Sequence, residues 1–440
     1  MWAPTEAPFR TCATPLRRRS GCAVCHQQTL PRACQNLPDA AAAKELRAKV
    51  SLAKASGPLA SSALLGLRQD KAFCSGLDDL LQAAARGNLP TRACADILWA
   101  LGAMHAESGA LGVQLEVAAE GLCTALDQEL QAAKPPRAAL VTSLTDAVFA
   151  LAAGHHSHGG TFQRLLSAVQ THPSLFRGAS GDITCTLLWA SSTLCEPGSG
   201  VTAGLAQAAL GVHGAPGTTL STWKPRSLAL ALWSLAASEL EASDAFRLCW
   251  MELCARAQGE AKEGGKKGGG TGLSPLALTQ VAQASFLAPD DITPLPARLR
   301  AAVQGAWTSR VDAETRKASR PSARQRQMEA ALLRLGMRPT SEAVVQPHGY
   351  RVDFLVALPV GPVLIEYDGQ AHFPRNAAPP CAPLGATRLK RRHLVQGGGT
   401  LVSVPFWEWE SLEASGMGNA ESLRIDYLRK KLGAVAKQEA

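Results

Sequence analysis

The chain has 440 residues, 46% of them hydrophobic and only 5% aromatic, and its 45 Lys and Arg outnumber 36 Asp and Glu to give a net charge of +9. That length and apolar content suffice for two or more packed domains, and the abundance of Ala, Leu and Gly favours helical repeats over a β-sandwich. No run of 18 or more apolar residues is free of charges or helix breakers, so no helical membrane span is expected, and the positive balance suits an anionic partner.

Met1 to Pro38 carries five arginines (Arg10, Arg17, Arg18, Arg19 and Arg32) and a single acid, Glu6. An Arg-rich, acid-poor leader without a continuous apolar core matches an organelle transit peptide rather than a secretory signal. A disordered basic tail would have the same composition, and composition does not separate mitochondrion from chloroplast. Within this segment Cys22-Ala-Val-Cys25-His26 has the spacing of a haem-attachment motif, or of half a zinc site. No second Cys/His pair lies at finger spacing, so neither haem nor zinc is expected. Of the 12 cysteines, Cys94, Cys123, Cys185, Cys249 and Cys254 fall in helical patterns, as small buried thiols of a reducing compartment do.

From about Ala40 to Ala302 the chain repeats loosely. Ile97 to Met104, Val148 to Ala153, Leu187 to Leu194 and Ala231 to Ala237 share an aromatic residue followed by small and apolar ones, and Gln283 to Ala288 is a degenerate fifth copy. The anchors Trp99, Phe149, Trp189, Trp233 and Phe286 are 50, 40, 44 and 53 residues apart, room for a helix pair and a variable loop. Apolar residues at three- and four-residue steps make each copy helical, and Thr91, Ser227, Pro225 and Pro275 signal helix starts. Such pairs bury their apolar faces only by stacking, which predicts an α-solenoid. The rings are expected in the core, where a large side chain needs small neighbours. Gly198 to Thr222 is an insert, His155-His-Ser-His158 an exposed loop rather than a metal site, and Glu260 to Gly270 a flexible charged linker.

Between Arg298 and Arg338 ten basic residues face three acids (Asp312, Glu314 and Glu329). Arg316, Lys317, Arg320, Arg324 and Arg326 crowd the start of a helix at Ser322, whose inner face is Met328, Leu332 and Leu335. This is a candidate phosphate-contact region, although a solvated linker would look similar.

Two apolar runs follow, Val352 to Leu358 and Val363 to Tyr367, separated by Pro359, Gly361 and Pro362. They read as a hairpin. Asp353 enters on the first strand, while Glu366 and Asp368 leave on the second, two apart and so on one face. Carboxylates converging at a strand end need water, a cation or basic side chains to compensate them. Such cations follow on a helix, Arg388, Lys390, Arg391 and Arg392, with Arg388, Arg391 and Arg392 on one face and Gly397 ending the helix. Leu401 to Val404 is a buried strand. Trp407 and Trp409 after it alternate onto one side, as a stacking platform for bases or a lid on the core. Leu423 to Leu432 closes the module as a helix.

Taken in order, Asp353-Phe354, Ile365-Glu-Tyr-Asp-Gly-Gln-Ala-His-Phe373, Leu384 to Arg392 and Leu401 to Trp409 resemble a RAP domain, the C-terminal module of organelle RNA-binding proteins of the FAST kinase-like and octotricopeptide-repeat type. The resemblance covers roughly Tyr350 to Leu432, under a fifth of the chain. It implies a restriction-endonuclease-like α/β fold with a strand, strand, helix, strand core. Metal-dependent nucleases of that architecture use an Asp, and a Glu two residues from a Lys. Here Asp353 and Glu366 stand in place, Asp368 replaces the Lys, and His372 is a candidate general base. Asp353, Glu366 and Asp368 would be the Mg²⁺ ligands if the module cleaves. Otherwise no cofactor is implied.

The expected architecture is therefore a leader at 1–38, a degenerate helical repeat region at 40–302, a basic linker and lead-in helix at 303–349 and a RAP-like domain at 350–432. The expected function is binding of single-stranded organelle RNA, mRNA or rRNA, in transcript stability, processing or rRNA maturation, in a mitochondrial matrix or chloroplast stroma and with protein partners in a processing complex. Arg316, Lys317, Arg320, Arg324, Arg326, Arg388, Lys390, Arg391, Arg392, Trp407 and Trp409 are the expected RNA contacts. The alternatives are a metal-dependent endoribonuclease and a protein-interaction scaffold. Kinase activity is not expected, because no glycine-rich phosphate loop or catalytic-loop signature is present.

Overall fold

A computed structural model of the chain describes residues 38–54, 67, 69–86, 89–108, 117–122, 124, 138–157, 159–173, 176, 179–210, 220–262, 272–316, 321–359, 361–414 and 420–438. The leader, with Cys22, Cys25 and His26, lies outside the described residues, as do Lys317, Arg320, Cys123 and most of the charged linker. Two compact units divide the chain, Met1–Ala168 and Val169–Ala440. The described structure is mostly helical, with one small mixed sheet near the C-terminus. No described helix is long and apolar enough to cross a membrane.

In the first unit α1 (Pro38–Lys54) packs on α2 (Lys71–Ala85) and on α3 (Thr91–Ser108), and α3 packs on α4 (Ala138–Ala153). Asp70 caps α2 by accepting hydrogen bonds from the Ala72 and Phe73 amides, which satisfies two otherwise orphaned donors. Trp99 and Phe149 are buried as core rings. The helices meet closely because Gly102 faces Ala150: a Cβ there would stand 2.5 Å from the Ala150 Cα. Arg47 of α1 ties the three helices together, donating to Asp96 at 2.8 Å and Asp146 at 2.6 Å. After α4, His155 takes a left-handed conformation (φ 53°) and the His156 amide returns to the Leu151 carbonyl at 2.9 Å, which caps the helix. His156 is buried, so this stretch is a helix cap rather than an exposed loop. The helix α5 (Gly159–Thr171) follows.

In the second unit the anchor helices α6 (Gly181–Leu194), α8 (Pro225–Ala237) and α10 (Pro275–Ser285) pack successively on one another. Beside them lie α7 (Val201–Leu210), α9 (Asp244–Lys262) and α11 (Ala297–Arg316). The stretch read as an insert thus contains a helix, α7, built from the Ala-rich run Val201 to Leu210. Pro225 and Pro275 are the first residues of α8 and α10, where a missing N–H costs nothing. Trp233 is buried, whereas Trp189 and Phe286 are half-buried. Cys94, Cys185 and Cys249 are buried thiols pushed up to about 12 by burial, and Cys254 to about 11, as structural cysteines are.

The C-terminal module opens with α12 (Ala323–Arg334), whose N-terminus carries a capping box between Ser322 and Gln325. The sheet runs in the order β1 (Thr340–Val345), β2 (Tyr350–Leu358), β3 (Gly361–Asp368) and β4 (Thr400–Pro405). Strands β1, β2 and β3 pair antiparallel, and β3 and β4 pair parallel through the crossover helix α13 (Gly385–Gln396). One core gathers Met328, Leu332, Phe354, Val356, Val363, Ile365, Val402, Val404 and Trp409. Two helices, α14 (Phe406–Ala414) and α15 (Ala420–Gln438), complete it, with Leu428 and Leu432 of α15 in the same core.

Helix α13 also seats against the helical pairs of its own unit. A Cβ on Gly385 would lie 2.2 Å from the Ser192 carbonyl oxygen, so only glycine allows this approach to α6. Arg388 donates to the Ser192 and Cys195 carbonyls at the end of α6, at 2.7 and 2.8 Å. Arg392 donates to the Ala236 carbonyl near the end of α8 at 2.6 Å and pairs with Glu241. Two guanidinium groups thus cover two helix C-termini, where orphan carbonyls and the helix dipole favour cations. A buried chain of hydrogen bonds adds to the contact. The Trp233 indole donates to Gln283 Oε1 at 3.0 Å, Gln283 Nε2 donates to the Tyr350 hydroxyl at 3.0 Å, and that hydroxyl lies 2.8 Å from His393 Nδ1.

Candidate functional site

The three carboxylates sit where β2 and β3 part. Ladder pairing between these strands begins at Phe354 and Ile365, so Asp353 lies just beyond it. Its Oδ2 accepts from the Tyr367 amide at 2.6 Å and takes the place of a ladder partner, while Oδ1 accepts from Gln325 Nε2 at 2.6 Å. Glu366 and Asp368, two apart on β3, project to one side of the sheet. Both are buried. Parallel pairing sets Glu366 opposite Ser403 of β4.

Each buried acid is met by a cation from α13. Lys390 Nζ lies 2.6 Å from Glu366 Oε1. Arg391 donates to Asp368 Oδ2 at 2.6 Å and to the Ser403 hydroxyl at 2.7 Å, and that hydroxyl donates to the same carboxylate oxygen at 2.5 Å. Burial pushes the Glu366 carboxyl up, Lys390 draws it back and the negative Asp353 adds to the rise, leaving it at about 7. Burial works against the Lys390 ammonium too, but Glu366, Asp353 and Asp368 outweigh it and hold its pKa above the ordinary lysine range. His372, 3.8 Å from Asp368 and 3.1 Å from the Thr387 hydroxyl, has its pKa lowered by burial, against the pull of Asp368.

This donor set does not suit a bridging Mg²⁺. Hard cations take several oxygen ligands at once. Here both oxygens of Asp353 accept protein hydrogen bonds, and Glu366 and Asp368 are already neutralised by Lys390 and Arg391. Among the described residues no group of three or more His, Cys, Asp or Glu side chains is arranged to hold a metal ion.

The remaining sequence candidates separate into three groups. Arg388, Lys390, Arg391 and Arg392 are all engaged within the protein, and Arg391 turns to the sheet rather than sharing the docking contacts of Arg388 and Arg392. Arg324 is likewise occupied, by Glu413 and Glu410 of α14. Arg316 and Arg326 are exposed, and their side chains donate to the backbone carbonyls of Asp312 and Pro321. The tryptophans do not share a side, because the segment after β4 is helical and two residues turn about 200° on a helix. Trp409 is wholly buried in the module core. Trp407 is half-buried, edge-on to Phe373 at 4.5 Å and Phe406 at 5.1 Å between centroids.

Three further residues belong to the site and were not singled out in the sequence: Gln325, Ser403 and Glu342. Glu342 has a left-handed backbone (φ 53°) and stands opposite Asp353, where the β1–β2 ladder lacks a pair while its register stays the same on both sides. Its carboxylate takes Arg351 at 2.9 Å and Gln325 at 3.3 Å. Only the capping-box spacing of Ser322 and Gln325 carries a sequence signal. The others are assembled by strand pairing.

The RAP domain family profile matches residues 365–431, which span the second half of β3, then α13, β4, α14 and most of α15. The chain is also similar to a RAP domain-containing protein, chloroplastic, of rice (Oryza sativa subsp. japonica), 40% identical over 85 residues. That segment is 19% of this chain and 12% of the rice protein, so the chain matches only a small part of its relative's length. The buried acids of β3 and the cations of α13 that neutralise them both fall inside the matched region. The chain thus carries a RAP domain at residues 365–431.

Proposed function

We propose that the chain is an organelle RNA-binding protein in which stacked helical pairs and the C-terminal RAP domain together bind single-stranded RNA without cleaving it. The observation that carries the reading is the RAP domain itself, seated through Gly385, Arg388 and Arg392 of α13 on the ends of two repeat helices. The strand, strand, helix, strand succession of β2, β3, α13 and β4 supports reading the module as restriction-endonuclease-like, and the successive packing of the anchor helices supports reading them as a solenoid arm. Binding without cutting follows from the carboxylates, which are matched by Lys390, Arg391 and backbone donors. The role is in stability, processing or maturation of organelle transcripts, in line with the chloroplastic relative. Exposed Arg316 and Arg326 supply phosphate contacts, and Trp407 supplies a ring for stacking.

One observation favours a second reading, a metal-dependent endoribonuclease. Lys390 reaches Glu366 from α13 and so returns a lysine to the acid pair whose own strand position is Asp368. The reading of binding alone is tested with the full chain and a labelled single-stranded organelle transcript across a salt series. We expect Arg316→Ala with Arg326→Ala to flatten the logarithmic salt slope by about 1.4, roughly 0.7 per lost phosphate contact. Absence of any salt-sensitive binding by the wild type would overturn the reading and leave a protein-interaction scaffold.

A further inference from the structure

A cleft of about 350 Å³ lies between α10, its following loop and α11. That volume is at the lower end for sites that take small ligands, about 300–1,000 Å³. Its walls are the rings of Trp250, Phe286 and Trp307. The Trp250 indole N–H donates to the Thr293 carbonyl and the Trp307 indole N–H to the His348 carbonyl, each at 2.7 Å. Both rings are therefore fixed and almost wholly buried, at 2% and 9% exposure, so the aromatic surface left to the cleft is that of the half-buried Phe286 ring, which stacks on His348 at 4.0 Å. The rim is polar. Ser285 donates to the Ala282 carbonyl at 2.7 Å and keeps its lone pairs, the Gln304 amide offers a donor and an acceptor, and Asp290 offers an acceptor. Arg300 completes the rim; it is exposed and pairs with no carboxylate among the described residues. Another cleft, about 390 Å³, has neither ring nor cation in its lining.

The Phe286 ring suits a flat ligand, the mixed donors and acceptors suit a heteroaromatic edge, and the exposed Arg300 guanidinium suits a phosphate. We propose that this cleft receives one base of a single-stranded RNA, with the neighbouring phosphate on Arg300. The proposal rests on the RNA-binding reading above and places a contact in the helical part of the chain, away from the acids of the sheet.

The test measures binding of a fluorescein-labelled, mixed-sequence RNA oligonucleotide to the full chain by anisotropy over a salt series. The variants are Arg300→Ala, Gln304→Ala and Ala288→Phe, the last to fill the cleft. Arg300→Ala should lower the salt slope by about 0.7. Ala288→Phe should weaken binding about tenfold by denying the base its stacking surface. Gln304→Ala should weaken binding at every salt concentration with the slope unchanged. Arg300 and Gln304 are exposed, so their variants decide the matter even if Ala288→Phe does not fold. If the wild type binds and both exposed variants match it in affinity and slope, this proposal is overturned while the RNA reading stands. If the wild type binds no RNA, both fall.

Discussion

At the scale of single residues, the site is governed by how buried charge is compensated. Glu366 would be costly in isolation, and Lys390 at 2.6 Å makes it tolerable. Removing the ammonium in Lys390→Ala leaves a buried acid facing Asp353 and Asp368, and should cost about 3–5 kcal/mol in chemical denaturation. The Glu366 carboxyl, raised to about 7, is an acid whose folded pKa lies above its unfolded one. Its contribution to stability is therefore full below the unfolded pKa and lost as pH rises through about 7. Between pH 8 and pH 5 the wild type should gain stability relative to Glu366→Gln, by on the order of 3 kcal/mol at most. Lys390, with its pKa raised, stays charged across that window. His393 acts in the opposite sense. Burial, with His348 adding to it, lowers its pKa to about 3, so its contribution is present above about 6.5 and lost as pH falls. Thermal melts must accordingly be compared as differences between variant and wild type at each pH.

At the scale of elements, α13 does two jobs with two faces of one cationic run. Lys390 and Arg391 face the sheet, while Arg388 and Arg392 face the ends of α6 and α8. Gly385→Ala forces a methyl group into the Ser192 carbonyl and should cost about 1–3 kcal/mol, read by denaturant midpoint. An exposed helical glycine such as Gly433, where an added Cβ meets nothing, is the control and should be slightly stabilised by Ala. The main elements of the module were legible because strand alternation, the Pro-Gly turn and the glycine stop are local signals. Strand β1 was not. It is a short edge strand with only Ala343 buried and an irregular Glu342, so its pattern is weak until β2 lies beside it. Helix α14 was misread although Pro405, the last residue of β4, marks the change of period just before it begins at Phe406. The cationic run of α13 showed its charge in sequence but not its partners, which include residues from 12 to 196 positions away.

At the scale of the whole molecule, the net charge of +9 overstates what is available to a ligand. The cations of α13 and Arg324 are engaged within the fold, leaving Arg300, Arg316 and Arg326 among those exposed. Charge reversal at Arg316 and Arg326 should weaken RNA binding without lowering the melting temperature, whereas the same change at Arg388 and Arg392 should lower the melting temperature first. Trp407→Ala should weaken binding by roughly 5- to 100-fold if its ring stacks on a base, and circular dichroism would confirm that the fold persists. The most direct measurement incubates the full chain with labelled single-stranded organelle RNA in Mg²⁺ or in EDTA. Retarded but intact RNA in both conditions is the expected result. Cleavage that requires Mg²⁺ and disappears in Asp353→Ala and Glu366→Ala would contradict it, and would make the acids of β2 and β3 catalytic.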